Sequence, residues 1–204
     1  MEGKIPNILA IGAATQDVFL RNSRDIKTVQ ENNHDLFTLE MGSKIDINKI
    51  DFATGGGATN AAVTFARAGL MASFMGAIGS DLAGQQVLKE LDAEFVDTSR
   101  VKISENYNTD YSTVILAPNG ERTILTYRGE SSRIFADNFK LRPREFDWIY
   151  VSNLSGRFDT LDNIFHEATK NGVKIMWNPG KKELAHPEMI LNLLNDVEVL
   201  LLNK

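Results

Sequence analysis

Short apolar runs, each stopped by turn-forming residues or by the chain end, recur along the sequence and restrict its fold more than any other feature. Each run is four to six residues long and apolar at successive positions. This pattern is typical of strands buried on both faces, as in a parallel sheet. The sequence therefore predicts a parallel sheet built from residues 7–11, 73–78, 148–151, 173–177 and 197–202.

Helical patterns lie between these runs. Residues 58–70 are rich in alanine, and residues 82–91 place Leu82, Val87 and Leu91 near one face. Further apolar stripes lie in residues 161–168, before Gly172, and in a short helix opened by Pro187. Alternation of strands with helices gives an α/β fold with right-handed crossovers. We therefore predict a three-layer α/β/α body.

Two stretches interrupt this alternation. Residues 18–54 contain strand-like segments at 36–40 and 44–47, and residues 107–128 indicate a hairpin around Pro118-Asn119-Gly120. Alternating polarity is typical of a sheet with one solvated face, and Asn-Gly favours a hairpin turn. We predict that both stretches form a small β lid, and that residues 1–17, 55–106 and 129–204 form the body.

Composition excludes several classes of protein. The chain has 204 residues, with 27 acidic against 22 basic side chains and no cysteine. A net charge of −5 argues against a nucleic-acid binder, and the lack of cysteine excludes disulfides and thiolate chemistry. No apolar run is long enough to span a membrane, and the N-terminus lacks the pattern of a signal peptide. We expect a cytoplasmic protein that contacts neither membranes nor nucleic acid.

The glycine run Gly55-Gly56-Gly57, followed by Asn60 and an apolar helix, is the most informative motif. Glycines let the backbone approach a ligand closely, and the start of the helix presents free N–H groups. Asn60 offers a donor and an acceptor that suit a pair of hydroxyls. The alternative is a flexible loop before a core helix. The run is neither a Walker A loop nor a Gly-x-Gly-x-x-Gly motif.

Asp17 follows the first predicted strand by a few residues. The carboxyl ends of parallel strands hold ligands in α/β proteins, and one carboxylate accepts two sugar hydroxyls. A helix cap or a solvated turn is the alternative for Asp17. We interpret Asp81 as the cap of the helix at 82–91. The histidines His34, His166 and His186 lack metal-ligand spacing, and we expect no metal site.

Several motifs, in order along the chain, resemble the ribokinase/PfkB family of carbohydrate kinases. Gly55-Gly56-Gly57-x-x-Asn60-x-Ala62 is similar to the N-terminal motif of that family. Other similar segments are Gly76-x-x-Gly79-x-Asp81-x-x-Gly84, Val96-Asp97-Thr98-Ser99, the Gly120-Glu121-Arg122-Thr123 hairpin, and the strand leading to Asn203. The resemblance covers nearly the whole chain and implies a ribokinase-like body with a β lid.

The resemblance also implies the chemistry, which is ATP-dependent phosphorylation of a hydroxyl on a small carbohydrate or nucleoside, with Mg²⁺. Carried over by position, Asp17 and Asn60 bind substrate hydroxyls, and the backbones of Gly56 and Gly57 contribute further contacts. Asn203 falls on the cofactor-binding Asn of the family's Asn-x-x-Glu motif. Ribose-specific members often have Asn where this chain has Thr15, and Lys where it has Gly57, so ribose is not the expected substrate.

The family's catalytic Asp lies in Asp-Thr-x-Gly-Ala-Gly-Asp, and these 204 residues contain no such motif. We expect that Asp to lie beyond residue 204, and this chain alone to be inactive.

Two other classes of function stay open. One is a non-catalytic sugar-binding or interaction module derived from such a kinase, and the other is a nucleotide-binding oxidoreductase domain. Lid sheets in this family often pair between subunits, which implies a possible homodimer through the lid.

Overall fold

The computed structural model describes residues 4–21, 26–117, 120–129 and 139–203. Within these residues the helices are α1 (Gly57–Arg67), α2 (Leu82–Ala93), α3 (Phe158–Lys170), α4 (Lys181–Leu184) and α5 (Pro187–Leu193). The strands of the same described residues are, in chain order, β1 (Asn7–Ile11), β2 (Thr15–Arg21), β3 (Lys27–Glu31), β4 (His34–Thr38), β5 (Lys49–Gly55), β6 (Met71–Met75), β7 (Ala77–Gly79), β8 (Lys102–Ser104), β9 (Asp110–Leu116), β10 (Arg122–Tyr127), β11 (Trp148–Val151), β12 (Lys174–Trp177) and β13 (Val199–Leu200).

The body contains a parallel sheet with the strand order β13-β12-β11-β1-β6. The strands β1 and β11 coincide with the predicted runs 7–11 and 148–151. The predicted run 73–78 is divided instead, because β6 pairs with β1 whereas β7 pairs with β8. Gly76 lies at this division, and its carbonyl accepts a hydrogen bond from the Lys102 amide at 2.9 Å.

Each face of the parallel sheet has its own core. On one face, alternate residues of β1, β11 and β12, such as Leu9, Ile149 and Trp177, pack against α3. On the other face, Ala10, Phe74 and Tyr150 pack against α1 and α2. Strand side chains alternate between the two faces, so both cores are built from the same strands. The predicted three-layer α/β arrangement is confirmed.

A second sheet, which we call the lid sheet, has the order β10-β9-β2-β5. It contains strands from both of the stretches that interrupt the α/β alternation, and β3 and β4 form a separate hairpin. The strand-like segment predicted at residues 44–47 is not a strand in the structure, where β5 begins only at Lys49. Pro118 and Asn119 of the predicted turn lie outside the described residues.

Strand β2 begins at Thr15, so Asp17 lies on the lid sheet and not in a turn after β1. The division of the chain into body and lid at the residue numbers given above stays a prediction. No helix within the described ranges combines the length and the apolar character that crossing a membrane requires.

Candidate substrate site

The ends of β1 and β11 meet at the floor of the candidate site. The Ser152 amide donates to the Ile11 carbonyl at 2.9 Å, and the Gly12 amide donates to the Met75 carbonyl at 3.1 Å. Ser152 is only 1% exposed, and its hydroxyl has no hydrogen-bond partner among the described residues. A buried hydroxyl without a partner is costly, and this one lies directly under Gly57.

The glycine run passes close over this floor. A Cβ atom on Gly57 would overlap the Ser152 hydroxyl, and a Cβ atom on Gly12 would lie 2.8 Å from the Ser152 Cβ. Gly56 has φ +111°, and a side chain there would overlap the Ala13 carbonyl oxygen. Only glycine combines this backbone conformation with such close packing. This close packing favours one defined backbone conformation for the run over the alternative of a flexible loop.

Helix α1 begins at Gly57, directly after this close approach. Its N-cap is Gly56, so no capping side chain accepts a hydrogen bond from the first turn. The first N–H groups of a helix have no partner within the helix and attract polar or anionic oxygens. The local structure thus leaves backbone donors at Gly57 and its neighbours available to a ligand.

Asp17 lies beside the glycine run on strand β2. Its neighbours in the lid sheet are Ala53 on β5 and Ser112 on β9. Its carboxylate covers Gly55, where any Cβ atom would overlap it. Burial raises the pKa of Asp17 above its ordinary value, although a hydrogen bond with the Ser112 side chain opposes the shift. Half-buried and held by one hydroxyl, the carboxylate has acceptor capacity left for the hydroxyls of a polyol.

Asn60 lies in the first turn of α1, and its side chain is exposed. It lines a cleft of about 510 Å³ together with Ala53, Thr54 and Glu90. The carboxylate of Glu90 accepts a hydrogen bond from the Thr54 amide at 2.7 Å, which fixes one wall of this cleft. Ala53 is also the sheet partner of Asp17, but Asp17 does not line this cleft, so the structure places the two predicted residues near one strand without bringing them into one cleft.

Asp81 is a helix cap, as predicted. Its carboxylate accepts hydrogen bonds from the Gly84 amide at 2.9 Å and from both the amide and the hydroxyl of Thr109. Burial alone would raise the pKa of Asp81, but these hydrogen bonds outweigh it and the pKa lies below its ordinary value. All of these partners are structural, so Asp81 is not placed at the candidate substrate site.

Ser152 belongs to none of the predicted motifs, which consist mainly of carboxylates and glycines. The only signal in the sequence was its position directly after a buried parallel strand. That signal is weak for a serine, because serine is common in turns. What distinguishes Ser152 is a three-dimensional property, namely its burial against Gly12 and Gly57.

Asn203 is the residue predicted to bind the nucleotide. Asn203 follows β13 and is exposed. One exposed amide is too small a donor set for a triphosphate, and no group of three or more His, Asp or Glu side chains among the described residues could hold a metal ion. The three histidines are exposed. We therefore derive no step through ATP or Mg²⁺ from these residues.

Comparison with known proteins places this geometry in a family. Residues 23–204 match the family described as pfkB family carbohydrate kinase. The ribokinase of Haemophilus influenzae is 25% identical over 153 residues, which are 73% of this chain and 49% of that enzyme. The ribokinase of Schizosaccharomyces pombe is 27% identical over 136 residues, which are 63% of this chain and 43% of that enzyme. The chain thus spans about half the length of these relatives.

Solved structures share the fold. Ribokinase from Giardia lamblia has a TM-score of 0.73 at 15% identity, over 98% of this chain and 58% of that one. The nucleoside kinase of Methanocaldococcus jannaschii has a TM-score of 0.72 at 18% identity, over 99% of this chain and 62% of that one. At such identities the likeness concerns the fold alone.

Proposed function

Because the chain belongs to the pfkB family of carbohydrate kinases, we propose that it binds the small carbohydrate or nucleoside that an ATP-dependent kinase of this family phosphorylates on a hydroxyl. The observation that carries the proposal is the position of the half-buried Asp17 carboxylate against Gly55, at the start of the glycine run that leads into α1. Relatives named as ribokinase, fructokinase and 5-dehydro-2-deoxygluconokinase support a sugar-like acceptor. A related ribokinase from Cryptococcus neoformans was solved with ADP, which supports a nucleotide donor.

The chain's own residues would bind and orient the acceptor. The Asp17 carboxylate would accept two hydroxyl groups of the substrate, and Asn60 would bind another from the start of α1. The free N–H groups at the start of α1 would bind a further oxygen of the substrate. Positioning of this kind supplies much of the rate enhancement in phosphoryl transfer, where the protein does little covalent chemistry. ATP use also leads us to propose a cytoplasmic location.

The proposal is tested by measuring the binding of a sugar and nucleoside panel to the purified chain by titration calorimetry. We expect at least one sugar or nucleoside to bind, and Asp17→Asn to weaken that binding about 10- to 100-fold, because hydrogen bonds to a charged group contribute about 1.5–3 kcal/mol. The matched control is Asp46→Asn, which removes an exposed carboxylate from the segment before β5. Equal affinities for the native chain and Asp17→Asn would contradict the proposal.

We also propose that two chains associate through the lid sheet. Phe52, Val18, Thr113 and Leu125 are successive neighbours across its four strands and share one face. Phe52 and Leu125 are 58% and 59% exposed on that face, and Tyr127 and Ile50 are each 52% exposed. Val18 between them is only 5% exposed, so the exposed apolar side chains of this face lie on its two outer strands, and such side chains favour association with a second copy.

A further inference from the structure

A second cleft opens next to the candidate substrate site and carries an excess of positive charge. It measures about 330 Å³ and is lined by Arg128, Asn153, Ser155, Gly180, Lys181, Lys182 and Glu183. Three of these side chains are cationic and one is anionic, in a chain whose net charge is −5. When Asp110, whose carboxylate pairs with Arg128, is also counted, one net positive charge remains, opposite in sign to the charge of the whole molecule.

Glu183 offsets one of the three positive charges, but backbone amides and not the lysines bind its carboxylate. It is fully buried, and one of its oxygens accepts hydrogen bonds from the Leu154 amide at 2.9 Å and the Gly156 amide at 2.7 Å. The other oxygen accepts from the Gly180 amide at 2.9 Å. Three backbone donors thus hold the carboxylate inside the protein. Neither Lys181 nor Lys182 forms an ion pair with a described residue, and both are exposed.

The same contacts give the cleft a defined wall. Ser155 and Gly156 both have positive φ, at 60° and 79°, and Glu183 holds the amides on either side of Ser155. Such a backbone is strained for serine and persists only where its surroundings fix it. The loop after β11 is therefore shaped by Glu183, and Asn153 lies at its start.

The cleft adjoins the proposed polyol site on two sides. On one side, Asn153 directly follows Ser152, which packs against Gly57. On the other side, the Arg128 guanidinium pairs with Asp110 at 3.8 Å, and Asp110 neighbours Thr15, which in turn pairs with Gly55. Both ends of the glycine run are thus connected to residues that line the cleft.

From this arrangement we propose that the basic cleft binds an anionic group, a carboxylate or a phosphate ester, carried by the acceptor sugar itself. The proposal rests on the proposed function, because it assumes that hydroxyls of the same molecule bind at Asp17. Lysine ammonium groups are strong donors to carboxylate and phosphate oxygens, and a guanidinium can bind either group through two hydrogen bonds. The preferred substrates are therefore sugar acids or sugar phosphates.

The test compares matched pairs of probes by titration calorimetry on the purified chain. The pairs are D-glucose with D-gluconate and D-ribose with D-ribose 5-phosphate, and ATP and inorganic phosphate are titrated separately. We expect at least one anionic sugar to bind about tenfold more tightly than its neutral counterpart. Lys181→Gln combined with Lys182→Gln should remove this preference, lowering the affinity for the anionic sugar about tenfold more than for the neutral one.

The control combines Lys89→Gln with Lys170→Gln, two exposed lysines on α2 and α3 that lie outside both sites, and it should keep the preference. Equal binding of neutral and anionic sugars would overturn the inference, and so would a preference that survives removal of Lys181 and Lys182. An effect of the lysine substitutions on ATP alone would assign the cleft to the nucleotide and would also overturn it.

The proposed function and the inference fail in different ways. Asp17→Asn should weaken both members of each pair, whereas the lysine substitutions should act chiefly on the anionic member. If Asp17→Asn leaves every affinity unchanged, the polyol site is wrong. If Asp17→Asn weakens binding but charge on the sugar has no effect, only the proposal that the basic cleft binds an anionic group is wrong.

Discussion

Two properties of Asp17 oppose each other. Its carboxylate must be ionised to accept hydroxyl groups, but the side chain is half-buried, and burial makes ionisation costly. Burial raises the pKa of Asp17, so the carboxylate takes up a proton at higher pH than an ordinary aspartate. The folded state therefore binds this proton more tightly than the unfolded state does. The stability that this proton contributes is lost as pH rises from 3.8, the pKa of Asp17 in the unfolded chain, to the raised pKa of Asp17 in the folded chain. At higher pH this contribution stays lost.

Two measurable consequences follow for Asp17. Sugar affinity should fall on acidification, beginning above the pH at which an ordinary aspartate titrates, because the protonated carboxyl accepts fewer hydroxyls. Asp17→Asn should raise the melting temperature at pH 7, and this gain should vanish below about pH 3.8. Calorimetric titrations and thermal melts across pH 3 to 8 check both. A lower melting temperature for Asp17→Asn at pH 7 would contradict this account.

Gly56 gives a sharper test of the backbone at the same site. Gly56→Ala would place a Cβ atom against the Ala13 backbone and force alanine to adopt φ +111°. We expect a loss of more than about 3 kcal/mol in the free energy of unfolding, or failure to fold, because backbone atoms cannot move aside as a flexible side chain can.

The control for Gly56 is Gly69→Ala, since Gly69 also has positive φ, at 82°, but nothing lies within 4 Å of its Cβ position. That change should cost only about 1 kcal/mol, which is the conformational penalty alone. Urea denaturation measures both values. Equal losses would show that the close approach at Gly56 contributes nothing.

Secondary structure elements differed in how far the sequence could predict them. The runs at β1 and β11 were found at their correct bounds because each is apolar on both faces and ends in a turn. Periodicity places Leu82 near one face of α2 with Val87 and Leu91, but Leu82 is 82% exposed whereas the other two are buried. It lies at the first turn of the helix and lines a cleft together with Phe52 and Tyr111 of the lid sheet, an environment that helical periodicity cannot describe.

Prediction of the candidate site from the sequence has the same limit, because contacts between distant segments cannot be derived from local patterns. The glycine run and Asp17 were identified from residue types, because glycine freedom and carboxylate chemistry are properties of single residues. Ser152 and the basic cleft depend on segments that are distant in sequence. Arg128, Asn153 and Lys181 come from three separate parts of the chain and meet only through the pairing of β2 with β9 and of β11 with β12.

Glu145 connects elements across the body and predicts a pH dependence of the opposite sign to that of Asp17. Burial opposes the shift, but the Arg142 amide and the Arg100 and Arg142 guanidinium groups outweigh it and hold the pKa of Glu145 at about 2. The unfolded value is 4.5, so the stability that Glu145 contributes is present above that pH and is lost as pH falls toward 2.

Glu145→Gln should therefore lower the free energy of unfolding at pH 7. A shift of this size corresponds to at most about 3 kcal/mol, and solvent screening reduces the expected loss to about 1–2 kcal/mol. The difference from the native chain should disappear near pH 2. Glu31→Gln, on the exposed strand β3, is the matched control and should change little. A loss that is independent of pH would refute the electrostatic explanation.

Association through the lid sheet is a property of the whole molecule. Phe52→Glu combined with Leu125→Glu places charge on the exposed apolar face and should shift the chain from dimer to monomer in sedimentation experiments. The control is Met41→Glu with Leu191→Glu, because these two residues are 97% and 64% exposed but lie outside that face. A native chain that is monomeric at all concentrations would contradict the proposed dimer.

The last prediction concerns catalysis by the 204-residue chain taken by itself. Transfer of a phosphoryl group needs a base within about 2.6–3.2 Å of the acceptor hydroxyl and preorganised donors for the developing charge. Removing a single such donor typically lowers the rate about 10²- to 10³-fold. The family resemblance assigns both roles to a Gly-Ala-Gly-Asp segment that these residues do not contain. We therefore expect sugar binding without sugar-dependent release of ADP, measured on a monodisperse sample with a full-length ribokinase as positive control. Release of ADP that also disappears in Asp17→Asn would show that this chain carries its own catalytic group, whereas release that persists in Asp17→Asn would identify a contaminating kinase.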